Sequence, residues 1–238
     1  LWASIQRFVF PDLQNSESMT LRILAPAAQE QPDSSLSHMF GQAMEKIGGG
    51  NSGYDIVSGE LRTHQLLRAL ARSSQDHQPV ALCGTAFAFV HLVDELARKG
   101  NPPLTLPEGS RIMETGGFKG QSREMPRNEL YGALESCLGI PQAQILNQYG
   151  MTELGSQFYD SVLRHPNQPR RKLAPPWSRV RLLNPDTGKE AAAGELGIIV
   201  IHDLANTSSI AAVQTADLGR KVNDGFEVEN RIPDAEAR

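Results

Sequence analysis

Apolar positions follow two alternating patterns along the chain up to about Tyr149. Short apolar runs such as Val80–Cys83 are continuous, which is typical of a strand buried on both faces of a sheet. Between these runs, segments such as Arg127–Leu138 carry a leucine at every fourth position, which is helical spacing. Strands and helices that alternate in this way predict an α/β fold, with a mainly parallel sheet flanked by helices.

The same patterns place the individual elements. The predicted strands are Thr20–Leu24, Tyr54–Val57, Val80–Cys83, Arg111–Glu114 and Ile145-Leu146. The predicted helices are Leu1–Phe10, a segment capped by Asp33 or Ser34 that runs to about Ile47, Leu61–Ala71, Ala86–Arg98 and Arg127–Leu138. In the second of these helices, the residues predicted to form the buried stripe are Leu36, Phe40, Met44 and Ile47.

The pattern changes after Asp160. Four prolines lie on either side of a basic stretch, Arg170–Lys172. Short apolar runs then follow at Val180–Leu183 and Gly197–His202. Asn184–Gly188 between these runs has the composition of a turn, so an antiparallel hairpin or meander is expected. We predict a boundary near Pro175, with an N-terminally incomplete α/β core in residues 1–175 and a smaller β-rich subdomain in residues 176–238.

Composition restricts the class of protein. The chain of 238 residues is 39% hydrophobic and 21% charged, which is ordinary for a soluble globular domain. A net charge of −4 argues against a nucleic-acid or anionic-membrane surface. Two cysteines do not make a disulfide scaffold, so a cytoplasmic location is expected. No apolar run reaches the roughly 20 residues that span a bilayer, and the start at Leu1 suggests a piece of a longer protein.

Two predicted strands end in loops that suit a ligand. The strand that begins at Arg111 leads into Gly116-Gly117, where backbone can approach a ligand closely. The strand that begins at Ile145 leads into Gln148–Glu153. Ligands of open α/β sheets bind at the carboxyl ends of the strands, so a crevice is expected there.

Tyr149–Glu153, with the sequence YGMTE, resembles the YGxTE signature of adenylate-forming enzymes. The longer strings GGFKGQSRE and NQYGMTELGSQFYD are similar to those of the acyl-protein synthetase (LuxE) family of bacterial bioluminescence. The similarity extends from about Leu21 to the end of the chain. It implies part of the N-terminal, nucleotide-binding domain of an adenylate-forming enzyme, which stops at the hinge to a mobile C-terminal subdomain.

The resemblance also implies an activity. The parent protein would use ATP and Mg²⁺ to activate a carboxylic acid, expected to be fatty, as an acyl-adenylate. It would then pass the acyl group to a thiol, either on an acyl-accepting protein or on a reductase partner. Two alternatives stay open: an acyl- or aryl-CoA ligase, and a non-catalytic binding protein on a degenerate adenylation fold.

Site residues follow from the resemblance position by position. Gly116, Gly117, Tyr149 and Gly150 would bind the nucleotide, with the glycine backbone and the tyrosine ring on either side of the adenine. Without the resemblance, the glycines are typical of a tight turn that binds no ligand, and the tyrosine of a core or rim aromatic.

Thr152 and Glu153 are the catalytic candidates. The hydroxyl of Thr152 would donate to the α-phosphate, and the carboxylate of Glu153 would bind Mg²⁺, which prefers hard oxygen ligands beside phosphates. The alternative is a helix start, because threonine followed by glutamate is ordinary in a first turn.

Two further nucleotide ligands lie near the end of the chain. Thr215–Gly219 resembles the TGD segment of the family, which assigns Asp217 to both ribose hydroxyls, although Ala216 replaces the usual glycine. Asn230-Arg231 resembles the GR pair before the hinge, which assigns Arg231 to ribose or phosphate. The alternatives are a solvated aspartate in a turn and an exposed surface arginine.

Other candidates rest on composition. Gly84, Thr85 and Phe87 at a strand end could line an acyl pocket, although a core role explains them equally well. A second set could meet phosphate or carboxylate, or form a solvated charged loop, and it consists of Lys119, Arg123 and Arg127.

Several expected parts are absent from the sequence. It has no Ser/Thr/Gly-rich phosphate loop, since Gly48–Gly53 lacks the threonines, and it has no counterpart of the catalytic lysine. The histidines have no metal-site spacing. Cys83 and Cys137 lie in apolar or helical contexts, which favours buried structural thiols over acyl acceptors. We therefore expect nucleotide binding by this chain and little or no turnover.

Overall fold

The computed structural model describes residues 2–14, 17–100, 102–116, 125–207 and 209–232. Contacts divide the chain into two compact units, one from Ser4 to Asn147 and the other from Gln148 onward. The boundary predicted near Pro175 lies within the second unit, and as a division into domains it stays a prediction. No helix among the described residues has the length and apolar character needed to cross a membrane.

The elements of the described residues are as follows. The α-helices are α1 (Trp2–Val9), α2 (Ser35–Ile47), α3 (Thr63–Gln75), α4 (Ala86–Lys99) and α5 (Arg127–Leu138). The strands are β1 (Thr20–Leu24), β2 (Gly53–Tyr54), β3 (Ile56–Val57), β4 (Glu60–Leu61), β5 (Val80–Thr85), β6 (Arg111–Thr115), β7 (Ile145–Tyr149), β8 (Phe158–Asp160), β9 (Lys172–Leu173), β10 (Ser178–Leu183), β11 (Gly197–Asp203), β12 (Ala212–Val222) and β13 (Gly225–Arg231).

The first unit is built around parallel strands in the order β2-β1-β5-β6. Helices α3 and α4 lie between successive strands in sequence, and long side chains from both pack with those of α5 into one core. Leu66 of α3, Phe89 of α4 and Leu134 of α5 are all fully buried in it. The predicted α/β class with a mainly parallel sheet is therefore confirmed.

Local capping explains why bounds of α2, α4 and α5 were predictable, whereas α3, which has no side-chain cap at its start, runs from Thr63 to Gln75 and not over the predicted Leu61–Ala71. The hydroxyl of Ser34 accepts a hydrogen bond from the amide of Ser37 at the start of α2, and that of Thr85 does the same for Ala88 in α4. Gly139 ends α5 in the left-handed conformation. Each device lies within a few residues of the helix end it satisfies.

The buried stripe of α2 differs in part from the prediction. Phe40 and Ile47 are buried as expected, together with Met39 and Ala43. Leu36 and Met44 are only half-buried. The buried face of α2 is therefore rotated from the predicted stripe toward Met39 and Ala43.

Two buried arginines brace the first unit. The guanidinium of Arg22 makes a bidentate contact with Asp55, and its Nε donates to Oδ2 at 2.9 Å. Burial raises the pKa of Asp55, and the guanidinium only partly counteracts this. Arg111, which is also buried, donates to both carboxylate oxygens of Asp12 at 2.6 Å. Each pairing fixes a loop to the sheet, because a buried guanidinium needs its acceptors in place.

The second unit is antiparallel. Its strands follow the order β8-β9-β13-β12-β11-β10. Strands β10 and β11 form the hairpin expected around Asn184–Gly188, with Val180 opposite Ile201. Phe158, Ile199 and Phe226 are buried in its core. The β-rich character predicted for this part of the chain is confirmed.

Candidate active site

The YGMTE segment forms the end of a strand and the turn after it. Tyr149 is the last residue of β7 and lies opposite Phe158 of β8. In the turn that follows, the amide of Leu154 donates to the carbonyl of Met151 at 3.1 Å. Thr152 and Glu153 are exposed in this turn. They do not begin a helix, so the alternative explanation of these two residues is wrong.

A side chain from a distant loop supports the turn. The amide nitrogen Nδ2 of Asn206 donates to the carbonyl of Glu153 at 2.7 Å and to the carbonyl of Ile210 at 3.0 Å. The turn that carries the two catalytic candidates is therefore tied to the loop that follows β11.

The chain just after the turn is held by a buried carboxylate. Asp203, at the end of β11, is fully buried. It accepts hydrogen bonds from the amide of Ser156 at 2.8 Å, from the hydroxyl of Ser156 at 2.7 Å and from the amide of Ala205 at 3.0 Å. The indole nitrogen of Trp177 donates to the same hydroxyl at 2.9 Å. Three donors satisfy this carboxylate, which makes it a structural anchor.

Tyr149 contributes an aromatic ring and a polar tip. Its ring lies 6.3 Å from that of Phe158 and 6.2 Å from that of Phe226, centroid to centroid. Its hydroxyl donates to Oδ2 of Asp217 at 2.7 Å. Burial raises the pKa of the Tyr149 phenol, and the adjacent negative charge of Asp217 raises it further. The phenol is therefore protonated and a hydrogen-bond donor at neutral pH.

Asp217 lies in strand β12 and not in the solvated turn of the alternative explanation. The strand bulges at this point, because three residues, Thr215–Asp217, lie opposite the single residue Ile199 of β11. The hydroxyl of Thr215 closes the bulge: it accepts from the amide of Asp217 at 3.1 Å and donates to the carbonyl of Ile199 at 2.9 Å. Bulges re-aim side chains near functional sites, and this one directs Asp217 to the Tyr149 hydroxyl.

Arg231 lies directly across the ladder from Asp217, at the end of β13. Its Nη1 is 4.0 Å from Oδ1 of the aspartate, and its side chain is 46% exposed. This distance between Nη1 and Oδ1 is too long for a direct hydrogen bond, so the guanidinium contributes charge to the site. Three predicted nucleotide ligands, Tyr149, Asp217 and Arg231, thus converge within the second unit.

The glycine turn after β6 belongs to the first unit. Gly116 has φ of 78°, and no atom lies within 4 Å of where a Cβ would stand. Its glycine is therefore required by the backbone conformation and not by packing. Gly117, Lys119 and Arg123 lie outside the described residues, and Arg127 is the half-buried first residue of α5.

A buried carboxylate lies two residues before this glycine. Glu114 of β6 accepts hydrogen bonds at 2.8 Å from the hydroxyl of Tyr131 and from the side-chain amide of Asn147. These bonds join β6 to α5 and to the middle of β7. The end of β6 is thereby fixed where the glycine turn begins.

The three acyl-pocket candidates have clear structural duties. A Cβ on Gly84 would lie 2.6 Å from the backbone oxygen of Leu24, so this glycine permits the close approach of β1 and β5. Thr85 caps α4, and Phe87 is half-buried. The acyl-pocket role of these residues stays a prediction.

The family is decided by a match along most of the chain. The model of the family described as "Acyl-protein synthetase, LuxE" matches residues 55–228, which is more than half of the sequence. The chain belongs to the acyl-protein synthetase (LuxE) family. Both β6 with its glycine turn and the Tyr149–Asp217 pair lie within the matched part of this LuxE-family chain.

A curated relative and solved structures agree with that assignment. The chain is 24% identical over 168 residues to the long-chain-fatty-acid–luciferin-component ligase of Aliivibrio fischeri, covering 70% of this chain and 43% of the relative. It spans less than half the length of that relative. Its fold matches ATP-bound MatB from Rhodopseudomonas palustris with a TM-score of 0.63 and 16% identity, over 96% of this chain and 42% of the other. It also matches Bacillus subtilis MenE in complex with ATP and magnesium. That match has a TM-score of 0.59 and 16% identity, over 97% of this chain and 45% of MenE. These matches show the fold of adenylate-forming enzymes.

The predicted metal site of the LuxE-family chain rests on one carboxylate. Among the described residues, no three His, Cys, Asp or Glu side chains form a cluster that could hold an ion. Mg²⁺ in nucleotide sites keeps several waters and binds one or two carboxylates together with phosphates. The exposed carboxylate of Glu153 fits that pattern, and its metal role stays a prediction.

The two thiols of the LuxE-family chain are protected. Cys83 is fully buried in β5, and burial raises its pKa to about 12. Cys137 is half-buried in α5, and burial raises its pKa as well. Because the thiolate is the nucleophile, the buried Cys83 is poorly suited to accept an acyl group, and the raised pKa makes Cys137 less reactive than a free thiol.

Sequence reasoning missed the groups that support the LuxE motif. Asp203 and Asn206 belong to no family string considered above, and their partners Ser156 and Glu153 lie far away in sequence. A second omission is Lys172, which is buried and donates to Asp160 at 3.0 Å. In the sequence, Asp203 was indicated only by its position directly after the run Gly197–His202, which is a weak signal.

Proposed function

We propose that this protein uses ATP and Mg²⁺ to activate a carboxylic acid, expected to be a fatty acid, as an acyl-adenylate, and transfers the acyl group to a thiol. Membership of the LuxE family supports the reaction class. The name of the Aliivibrio fischeri relative supports a long-chain acid. The observation that carries the proposal is the 2.7 Å bond between Tyr149 and Asp217, since it joins two nucleotide motifs predicted separately.

The geometry supports a division of labour for binding AMP. The ring of Tyr149 offers an apolar face for adenine, and the carboxylate of Asp217 offers acceptors for ribose hydroxyls. The charge of Arg231 near that carboxylate favours anionic ligands. All three side chains lie in the second unit, whereas Gly116, another of the adenine candidates, lies in the first.

Thr152 and Glu153 would act on the phosphates. Both side chains are exposed in a turn that Asn206 holds, so they are available to a ligand. Thr152 would donate to the α-phosphate. Glu153 would hold Mg²⁺, which when bound would neutralise phosphate charge. The fold neighbours MatB and MenE were solved with ATP, and MenE with magnesium as well.

Neither cysteine of this chain is expected to be the thiol that receives the acyl group. Cys83 is buried with a pKa of about 12, and burial also raises the pKa of the half-buried Cys137. We therefore expect the acceptor to be a cysteine elsewhere or another molecule. Coenzyme A is the main alternative acceptor, and the acyl products distinguish it from a protein thiol.

Calorimetric titration of the purified protein tests the nucleotide site. We expect binding of AMP, of ATP with Mg²⁺, and more tightly of a non-hydrolysable fatty acyl-adenylate analogue. Asp217→Ala is expected to weaken AMP binding about tenfold, since a hydrogen bond to a charged group contributes about 1.5–3 kcal/mol. Glu153→Ala is expected to weaken Mg-ATP binding more than AMP binding.

Matched controls are Asp186→Ala and Glu45→Ala, which remove exposed carboxylates in a turn of the second unit and on α2. Both should bind all ligands like the wild type. If the wild-type protein binds none of the three ligands, the proposal fails and a non-catalytic role is favoured. Acid-dependent exchange of pyrophosphate into ATP would support adenylation, and formation of acyl-CoA would assign the ligase alternative.

A further inference from the structure

The two carboxylate oxygens of Asp217 are in different environments. Oδ2 accepts the hydrogen bond from the Tyr149 hydroxyl at 2.7 Å. Oδ1 accepts no hydrogen bond from the described residues, and the nearest cation is Arg231 at 4.0 Å. The side chain is 19% exposed, so ligand can reach it. One oxygen is thus held in place by protein while the other is available as an acceptor.

The backbone beneath this carboxylate is also fixed. The bulge at Thr215–Asp217 sets the direction of the side chain, and the Thr215 hydroxyl bridges the Asp217 amide to the Ile199 carbonyl. What remains free is rotation of the carboxylate about its own side-chain bonds. Among the described residues, the hydroxyl of Tyr149 is the group that restrains that rotation by a hydrogen bond.

We propose that the Tyr149 hydroxyl is a positioning group for sugar recognition. By holding Oδ2 of Asp217, it orients Oδ1 to accept from the 2′-hydroxyl of the sugar, which selects ribose over 2′-deoxyribose. The proposal rests on the proposed function, because it assumes that AMP binds here. It separates two parts of one side chain: the ring serves the base, and the hydroxyl acts through Asp217 on the sugar. Holding an acceptor in one orientation strengthens a bond to a hydroxyl that is present, and gives nothing to a sugar that lacks it.

The test measures the dissociation constants of AMP and 2′-deoxy-AMP for the wild type and for Tyr149→Phe. The wild type is expected to prefer AMP about tenfold, as one hydrogen bond to a charged acceptor allows. Tyr149→Phe keeps the ring, so we expect 2′-deoxy-AMP to bind within about twofold of the wild type while AMP loses at least about threefold. The ratio of the two constants, which loss of structure alone would not change selectively, is the decisive readout.

Two further variants support the interpretation. Tyr54→Phe removes a half-buried phenol hydroxyl from the first unit and should leave both constants unchanged. Asp217→Asn, alone and combined with Tyr149→Phe, completes a double-mutant cycle. If the hydroxyl acts through the carboxylate, Tyr149→Phe should have no further effect on the ratio once Asp217 is replaced.

The outcomes separate this inference from the proposed function. If the wild type binds AMP and prefers it over 2′-deoxy-AMP, but Tyr149→Phe keeps the same preference, the positioning role is overturned and the nucleotide site stands. If the effects of the two substitutions simply add, the hydroxyl does not act through Asp217. If the wild type binds neither nucleotide, both proposals fail.

Discussion

Asp203 and Asp217 are aspartates of the same antiparallel unit with opposite surroundings. Asp203 is fully buried and accepts three hydrogen bonds, two from Ser156 and one from Ala205. Asp217 is half-buried, and from the part of the chain that the structure describes its carboxylate accepts one hydrogen bond, from Tyr149 to Oδ2. The first carboxylate is completed by the protein and the second is left incomplete.

The difference shows how one residue type serves structure at one place and binding at another. A satisfied buried carboxylate stabilises the loop whose donors it accepts, and its removal strands those donors. A carboxylate with an available oxygen near a cation contributes little to stability and keeps its capacity for a ligand. Replacing Asp203 should therefore lower the free energy of unfolding more than replacing Asp217 does. Replacing Asp217 should weaken nucleotide binding more than replacing Asp203 does.

The largest effect on stability is expected for Asp203→Ala. It leaves the amide and hydroxyl of Ser156 without their acceptor, so the free energy of unfolding should fall by about 3 kcal/mol. Urea denaturation measures the change, with Asp186→Ala as a control expected within about 0.5 kcal/mol of the wild type. A loss below about 1 kcal/mol would show that Asp203 is not the anchor of this loop.

The second effect depends on pH. The pKa of Tyr149 is raised in the folded protein, so its phenol contributes stability that is present below the unfolded pKa near 10 and is lost as pH rises above it. Between pH 8 and pH 11 the loss should be about 1.4 kcal/mol greater in the wild type than in Tyr149→Phe. Urea denaturation across this range measures it, and parallel curves for the two proteins would contradict the burial of the phenol.

A smaller effect is expected for Asn206→Ala. The substitution removes the bonds to the carbonyls of Glu153 and Ile210, both exposed, so the cost in stability should be about 1 kcal/mol. Loosening the turn should weaken Mg-ATP binding more than AMP binding, because the turn carries Thr152 and Glu153. Equal weakening of both ligands would mean that Asn206 does not serve the phosphate end of the site.

The smallest change in stability is expected for Asp217→Ala, although its effect on AMP binding is about tenfold. The hydroxyl of Tyr149 loses its acceptor but lies in a half-buried setting, so the cost should stay below about 1 kcal/mol. Denaturation and calorimetry of the same preparation give both numbers. A destabilisation as large as that of Asp203→Ala would remove the contrast between the two aspartates.

The parts of the fold that were predicted correctly are those set by nearby residues. Ser34, Thr85 and Gly139 cap helices within their own segments, and α5 begins and ends at the predicted residues. The hairpin of β10 and β11 follows from the turn between the two strands. Short-range chemistry decides these features, so the sequence alone is sufficient.

The site was predicted by resemblance and only in part by physical reasoning. Asp217 was found through a family string, but the bulge that orients it depends on Ile199 in a neighbouring strand. Asp203 and Asn206 were not predicted, because their hydrogen-bond partners Ser156 and Glu153 are distant from them in sequence. Lys172 lies in a proline-rich basic stretch that gave no indication of burial, since its partner Asp160 belongs to another strand.

The shielded thiol of Cys83 has a practical consequence. With its pKa near 12 and an exposure of only 2%, this cysteine should stay unmodified by maleimide dyes at neutral pH, and the half-buried Cys137 should react slowly. A cysteine introduced at an exposed turn position such as Asp186 would then react first. Labelling for a short time at neutral pH should therefore favour the introduced cysteine over both thiols of this chain.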